Sequence, residues 1–330
     1  VGAEVAHFRQ RRDRRWNPLT SARANLRAMW HRHRTRRLGG RIESLGRQGP
    51  RTGAGGRSNE ARACEVRSAA PFDATASAYD ERFTDTALGR WLRRRVWERL
   101  ADVIPPDCAV LELGGGTAED ACWLAARGAR VTCTDGSSEM LQIATRKAAA
   151  RGVGGRVTLA HLDLNDLPDN GALAGPFGAV LANFGSLNCV TDRRALAAWL
   201  ARRVGSGAHV VLTVMGPLCP WEHVALAITD PANCLRRWRR DGVLFGEGPS
   251  TVLRVLYPSP RRLAAEFAPW FDRVRLTGLG VLIPPTRWHD LVERRPRLLR
   301  FLGRTERAIA GRWPATWLND HYVLELRRRG

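Results

Sequence analysis

The sequence predicts an α/β fold: a doubly wound, seven-stranded, mostly parallel sheet with helical cap insertions after the fifth and sixth strands. Three observations predict it. From about residue 71, short apolar runs alternate with helical patterns. The first clear run, Ala109–Leu113, ends in Gly114-Gly115-Gly116, and the second, Arg130–Thr134, ends at Asp135. Strands that alternate with helices pair in parallel and carry helices on both faces, and such sheets bind ligands at the carboxyl ends of their strands.

The elements follow in order. After the glycines, Ala118, Ala121, Cys122, Leu124 and Ala125 keep helical spacing. Ser137 or Ser138 can cap the helix that carries Met140, Leu141, Ile143 and Ala144. Val157–Ala160 forms a third strand leading to Asp163, and Gly178–Asn183 a fourth leading to Phe184-Gly185. Thr191 or Asp192 opens the next helix, and His209–Val214 is the fifth strand. Beyond it the text turns rich in Pro and aromatics. Residues 217–250 read as an insertion over the ligand end of the sheet, with a short strand in Thr251–Tyr257. Ser259-Pro260 starts a helix through Phe267; Phe271–Gly280 and His321–Leu326 are the sixth and seventh strands. Between those two, Pro284–Trp317 is a second, mostly helical insertion.

Composition sets the remaining bounds. The 330 residues are 44% hydrophobic and 26% charged, which excludes collagen-like and wholly disordered classes. No stretch reaches the ~18 consecutive apolar residues of a membrane span. Seven cysteines without a CxxC pair suit a reducing, cytoplasmic setting better than a disulfide framework, and give no metal-site spacing. The net charge is +21 and almost all of it is arginine, Lys147 being the one lysine. Residues 1–70 hold 17 Arg against 5 acids, a net +12. Such a stretch has too little apolar surface to offset its ordering entropy and reads as an Arg-rich, disordered extension. Residues 71–330 are the folded domain, with a cofactor half over 71–216 and the cap and C-terminal strands over 217–330.

The glycine run lets a ligand approach the backbone at a helix N-terminus, and Asp135 can accept from two ribose hydroxyls. That much fits NAD or S-adenosylmethionine. A dinucleotide fingerprint wants a third glycine where Glu119 stands. Glu112, two residues before the glycines, can instead help to hold a cationic amino group, which adenosylmethionine has and NAD lacks.

Val110-Leu111-Glu112-Leu113-Gly114-Gly115-Gly116-Thr117 resembles motif I of class I S-adenosylmethionine-dependent methyltransferases, and Val131–Leu141 resembles their next motif. Phe72-Asp73 and Tyr79-Asp80 are similar to the lid helix of the ubiquinone/biotin-type small-molecule branch; Leu162-Asp163-Leu164 is similar to its acidic segment after the third strand. The resemblance covers residues 71–216 by motif and implies a Rossmann-like methyltransferase fold. It implies that Glu112 and Gly114, Gly115 and Gly116 hold the methionine end, that Asp135 takes the ribose, and that Met140 packs on an adenine whose amino group Asp163 accepts. Thr117, Gly136, Ser137, Leu164, Asn183 and Phe184 complete the implied cofactor set. One departure is Phe177-Gly178, where the fourth strand often starts with Phe-Asp.

For the acceptor, six of twelve tryptophans follow residue 216, which favours an apolar or aromatic small-molecule pocket under the caps. Trp221, Glu222 and Trp288 are substrate candidates. Glu222, His223, His289 and Tyr79 are candidates for a general base. Asn183-Phe184-Gly185-Ser186 lacks the prolines of base amino-methyltransferases, which argues against a nucleic-acid substrate, and Thr117 stands where spermidine-synthase-like enzymes carry Asp. The expectation is a monomeric or homodimeric enzyme that transfers a methyl group from S-adenosylmethionine to O, N or C of a small molecule. The alternatives are a nucleic-acid- or membrane-associated methyltransferase using the basic extension, and a non-catalytic S-adenosylmethionine-binding protein.

Overall fold

A computed structural model of the chain describes residues 70–168, 173–245, 252–285 and 294–330. The expected extension, save Ala70, lies outside the described residues, as do Trp288 and His289.

Two short helices, α1 (Ala70–Asp73) and α2 (Ala76–Tyr79), and a π-turn over Asp80–Thr84 lead into α3 (Ala87–Val103). Thr86 caps α3 by accepting from the Gly89 amide at 2.9 Å. Then follow β1 (Ala109–Leu113), α4 (Glu119–Ala126), β2 (Arg130–Asp135), α5 (Ser138–Ala150), β3 (Val157–His161), β4 (Phe177–Ala182), α6 (Arg193–Ala201) and β5 (Val204–Met215). The cap after β5 holds α7 (Pro220–Thr229) and a hairpin of β6 (Val243–Phe245) and β7 (Leu253–Val255). The chain closes with α8 (Pro260–Phe267), β8 (Phe271–Leu279), α9 (Pro296–Ile309) and β9 (His321–Arg328).

The seven-stranded sheet has the order β3-β2-β1-β4-β5-β9-β8. Its first five strands pair in parallel, and β9 runs antiparallel to both β5 and β8. Side chains alternate between faces along each strand, so Leu111 and Leu113 of β1 pack with α6 and α8 while Val110 packs with α3, α4 and α5. Each face thus has its own core, as a doubly wound sheet requires.

Local chemistry sets the boundaries. Ser137 caps α5 through Met140 N (3.1 Å), Asp192 caps α6 through Ala195 N (2.9 Å), and Ser259 caps α8 through Arg262 N (3.3 Å). β5 begins earlier than the apolar pattern predicts because Phe177 pairs with Val204 and Ala179 with His209, a bulge that absorbs the intervening residues. Of the expected Thr251–Tyr257 strand, Thr251 lies outside the described residues, and Leu253–Val255 pairs with Val243–Phe245. At Gly178, a Cβ would lie 2.9 Å from Cys108 Sγ, so a side chain there would need the thiol to move. That position is at the start of β4, away from the ligand end.

Candidate active site

The sheet order reverses between β1 and β4, and the loops after these strands meet there. Gly114, Gly116 and Ala118 all take positive φ (60°, 57° and 59°). At Gly114 the requirement is doubled, since a Cβ would stand 2.5 Å from Ser186 Cβ in the loop after β4. Gly116 has room: only Met140 Sδ, at 3.9 Å, would be near its Cβ. The loop therefore presents open backbone on its ligand side and packs tightly behind.

A cavity of about 480 Å³ opens at this point and runs beneath the cap, a size typical of small-molecule sites. Its cofactor-side wall includes Gly114, Gly116, Asp135, Gly136, Met140, Asp163, Leu164, Asn183 and Phe184, so the structure brings these sequence-predicted residues together. Tyr79 and Glu222 also line it. Glu112, Gly115, Thr117, Ser137, Trp221 and His223 are not on its wall.

Asp135 joins two loops. Its carboxylate accepts from Gly116 N (2.8 Å) and Ser137 N (2.9 Å). Burial raises its pKa, and these bonds to the charged form oppose the rise. Asp163 accepts from Asn165 N at 2.9 Å in a turn on the cavity rim.

Glu112 lies behind the glycine loop and is 1% exposed. Neither of its oxygens meets an N–H or O–H donor among the described residues; the Cys133 thiol lies beside it. Burial, then the nearby Asp120 carboxylate, push its pKa well above the ordinary carboxylate range. Asp120 is itself buried and fully engaged, taking Arg93 Nη1 (2.6 Å), Trp97 Nε1 (2.6 Å) and Asn183 Nδ2 (3.0 Å). Thr117 donates to Asp80 (2.8 Å) and accepts from Lys147 Nζ (2.8 Å), and Ser137 donates to Asp73. These two predicted cofactor residues thus hold the N-terminal segment in place.

That segment supplies one wall. Phe72, Tyr79 and Phe83 face the cavity, and Tyr79, Phe83, Phe184 and His321 form a chain of ring contacts with centroids 5.1–5.9 Å apart. The Arg93 guanidinium lies over Phe83 (5.2 Å) and Phe184 (5.0 Å). Phe184 is held at φ 46°, a left-handed conformation that a bulky residue keeps only when its surroundings enforce it.

The cap supplies the other wall, and here the sequence reading missed the main participants. Arg237 is buried, donating to Glu222 Oε2 (2.8 Å), Asp320 Oδ1 (2.7 Å) and the carbonyls of Gly216 and Asp320. Arg236 Nε bonds Glu222 Oε1 at 2.7 Å. Glu222 is therefore clamped by two arginines, an arrangement that stabilises its carboxylate and disfavours it as a base. His223 donates through Nδ1 to Cys219 O (2.6 Å) and packs on Trp238, off the cavity. Trp221, a substrate candidate in α7, is 37% exposed and does not line the cavity. His321 lines the cavity, with Nδ1 3.1 Å from Asp320 Oδ2. Burial works against ionising Asp320, but His321 and Arg237 hold its pKa far below the ordinary range. The available signal was the Asp320-His321 doublet at the start of the seventh strand.

Sheet order, glycine loop and cavity together define the Rossmann-like fold of class I methyltransferases. The solved CcbJ methyltransferase from Streptomyces caelestis superposes with a TM-score of 0.52 at 16% identity, covering 80% of this chain and 99% of its own. Residues 110–207 match the model of the methyltransferase domain family. A demethylmenaquinone methyltransferase from Clavibacter sepedonicus is 34% identical over 143 residues, 43% of this chain. The chain spans 56% of the length of that curated relative. No helix among the described residues is long and apolar enough to cross a membrane.

Proposed function

We propose that this protein is an S-adenosylmethionine-dependent methyltransferase that acts on a small, largely apolar or aromatic acceptor. The observation that carries the reading is one continuous cavity, bounded at one end by the open glycine loop with Asp135 and Met140 and at the other by the aromatic cap. The residues suit the cofactor. Asp135 keeps lone pairs for hydroxyl donors beyond its two backbone bonds. Glu112 is a buried carboxyl that lacks N–H and O–H donors among the described residues, just behind the loop, so it acts on a cationic group through space rather than by contact. Asn183 Oδ1 and Ser186 Oγ are buried without partners among the described residues at the loop after β4; the first can accept from, and the second accept from or donate to, bound polar groups.

When bound, S-adenosylmethionine supplies a methyl group on an electrophilic sulfonium. The protein's own work is then chiefly placement. Gly114, Gly116 and Asp135 fix one end of the site, the ring chain from Tyr79 to His321 excludes water, and the cap closes over the acceptor. The domain reading goes with this: residues 71–216 bind the cofactor, and residues 217–330 supply the cap and the last strands.

Calorimetric titration of the full chain tests the proposal. Binding of S-adenosylmethionine and S-adenosylhomocysteine without binding of NAD is expected; NAD binding, or no adenosyl ligand bound, refutes it. Asp135→Ala removes charge-assisted bonds and the tie between two loops, so it should weaken adenosyl-ligand affinity by about 1–3 kcal/mol. Unchanged affinity removes Asp135 from the site.

A further inference from the structure

The acceptor end of the cavity contains an imidazole that the cofactor reading does not use. His321 is the first residue of β9, and the antiparallel register sets it opposite Met215, the last residue of β5, and Leu279 at the end of β8. The topology thus delivers His321 to the ligand edge of the sheet. Its ring packs edge-on against Phe184, centroids 5.9 Å apart, beside the crevice between β1 and β4. Nδ1 is buried and lies 3.1 Å from Asp320 Oδ2, an ion-pair distance at which ring and carboxylate are not aligned as a hydrogen bond, while Asp320 Oδ1 is held by Arg237 at 2.7 Å. Among the described residues nothing bonds Nε2.

We propose that His321 is the general base of this site, oriented by Asp320, and that the acceptor group is a weakly acidic hydroxyl such as a phenol. The proposal rests on the methyltransferase reading above. The proton of the acceptor O–H moves to Nε2 of His321, the bonding pair stays on oxygen, and the imidazolium forms against the Asp320 carboxylate. Arg237 keeps that carboxylate ionised and fixed, so Asp320 is a positioning residue with no contact to the acceptor. Three features select a hydroxyl. An amine arriving as an ammonium would need a free anion here, yet Glu222 and Asp320 are both engaged by Arg236 and Arg237. A carbon acceptor without an acidic proton would leave a buried histidine–aspartate pair with no task. Phe184, Phe245 and Tyr257 line the same cavity, each with an arginine guanidinium over one ring face, and give it an aromatic wall for an aromatic body.

The test uses the full chain and begins with calorimetric binding of S-adenosylhomocysteine to wild type, H321Q and D320N. Its failure in wild type overturns the cofactor reading; its retention in the variants shows that the fold survives. Nitrogen-15 histidine NMR then reads the tautomer, with the His321 signals identified by their loss in H321Q. The expected ring carries its proton on Nδ1 with Nε2 unprotonated, and D320N loses that preference. A wild-type ring protonated on Nε2 overturns the proposal. Finally, 4-nitrophenol is added to the S-adenosylhomocysteine complex below the pH at which the free phenol ionises. A phenolate absorption band in excess of that in buffer is expected for wild type, and its loss in H321Q. No excess band in wild type, or an undiminished band in H321Q, refutes the assignment while leaving the cofactor reading intact.

Discussion

Glu112 is a carboxyl that the folded chain would rather keep protonated. It is buried, lacks N–H and O–H donors among the described residues, and feels the charge of the Asp120 carboxylate. Its folded pKa is therefore raised above the unfolded value of about 4.3. The sign follows from linkage: its contribution to stability is full below the unfolded pKa and is lost as pH rises through the folded one. Glu112→Gln removes that loss. The stability difference between variant and wild type, followed by urea unfolding, should grow from about pH 4.3 upward and level off once Glu112 is ionised. Parallel profiles would mean that Glu112 carries no such cost. The same substitution should weaken S-adenosylmethionine binding, because a bound cation favours ionisation of Glu112 and a glutamine cannot supply that charge. At this scale the sequence was legible where chemistry is local. Gly114, Asp135 and Met140 could be placed because each sits at a fixed offset from a strand end. Arg237, Asp320 and His321 could not. Arg237 sits in a run, Arg236–Arg240, that resembles a solvated charge cluster, and its partners lie 15 and 83 residues away.

Among the elements, the segment from α1 to the π-turn is latched at two points. Asp73 accepts from Ser137 and Glu139 N at the start of α5. Asp80 meets Lys147 Nζ at 2.7 Å and Thr117 Oγ1 at 2.8 Å. Lys147 also reaches Glu119 Oε2 at 3.1 Å, so one ammonium joins α5, the glycine loop, α4 and the N-terminal segment. A compact, three-donor ammonium suits three acceptors arranged around a point, whereas a planar guanidinium does not. That gives the single lysine of an arginine-rich chain a physical reason. Burial opposes ionisation of Asp80, but its bonds to Lys147 and Thr117 lower its pKa overall. Its contribution is therefore present above the ordinary aspartate value of about 3.9 and lost as pH falls through the depressed one. The latch holds at neutral pH and opens only in acid. Lys147→Met should raise amide exchange over residues 72–84 while leaving β1, β2 and β4 protected, and Lys147→Arg should restore this only in part. Unchanged exchange in Lys147→Met would mean that packing of Phe72, Tyr79 and Phe83 alone holds the segment. The sequence indicated a lid here by resemblance. It could not indicate the latch, because Asp80, Thr117 and Lys147 are brought together only when α5 packs beside the glycine loop.

Across the whole molecule, charge and fold are separately distributed. Residues 1–70 carry +12 of the net +21, while the seven-stranded sheet and the cavity are built from residues beyond them. The mostly parallel, doubly wound sheet was legible from the alternation of apolar runs and helices, since that pattern with a C-terminal strand pair leaves few topologies open. The hairpin of β6 and β7 was legible only in part, because three-residue strands carry too little periodicity to reveal their partner. We therefore expect the two parts of the chain to answer different assays. A chain starting at residue 70 should bind S-adenosylhomocysteine with the affinity of the full chain, because the described residues that line the cavity all remain. It should also lose much of any binding to anionic polymers. For the full chain that binding should fall steeply with salt, since each phosphate neutralised releases a counterion. Calorimetry on both chains, with heparin retention measured across a salt gradient, separates the contributions. If the shortened chain lost its adenosyl-ligand affinity, the basic segment would belong to the folded enzyme and the site would extend beyond the sheet and cap. If retention on heparin were equal for both, the arginines of the folded domain, including those of α9, would be the polyanion contact.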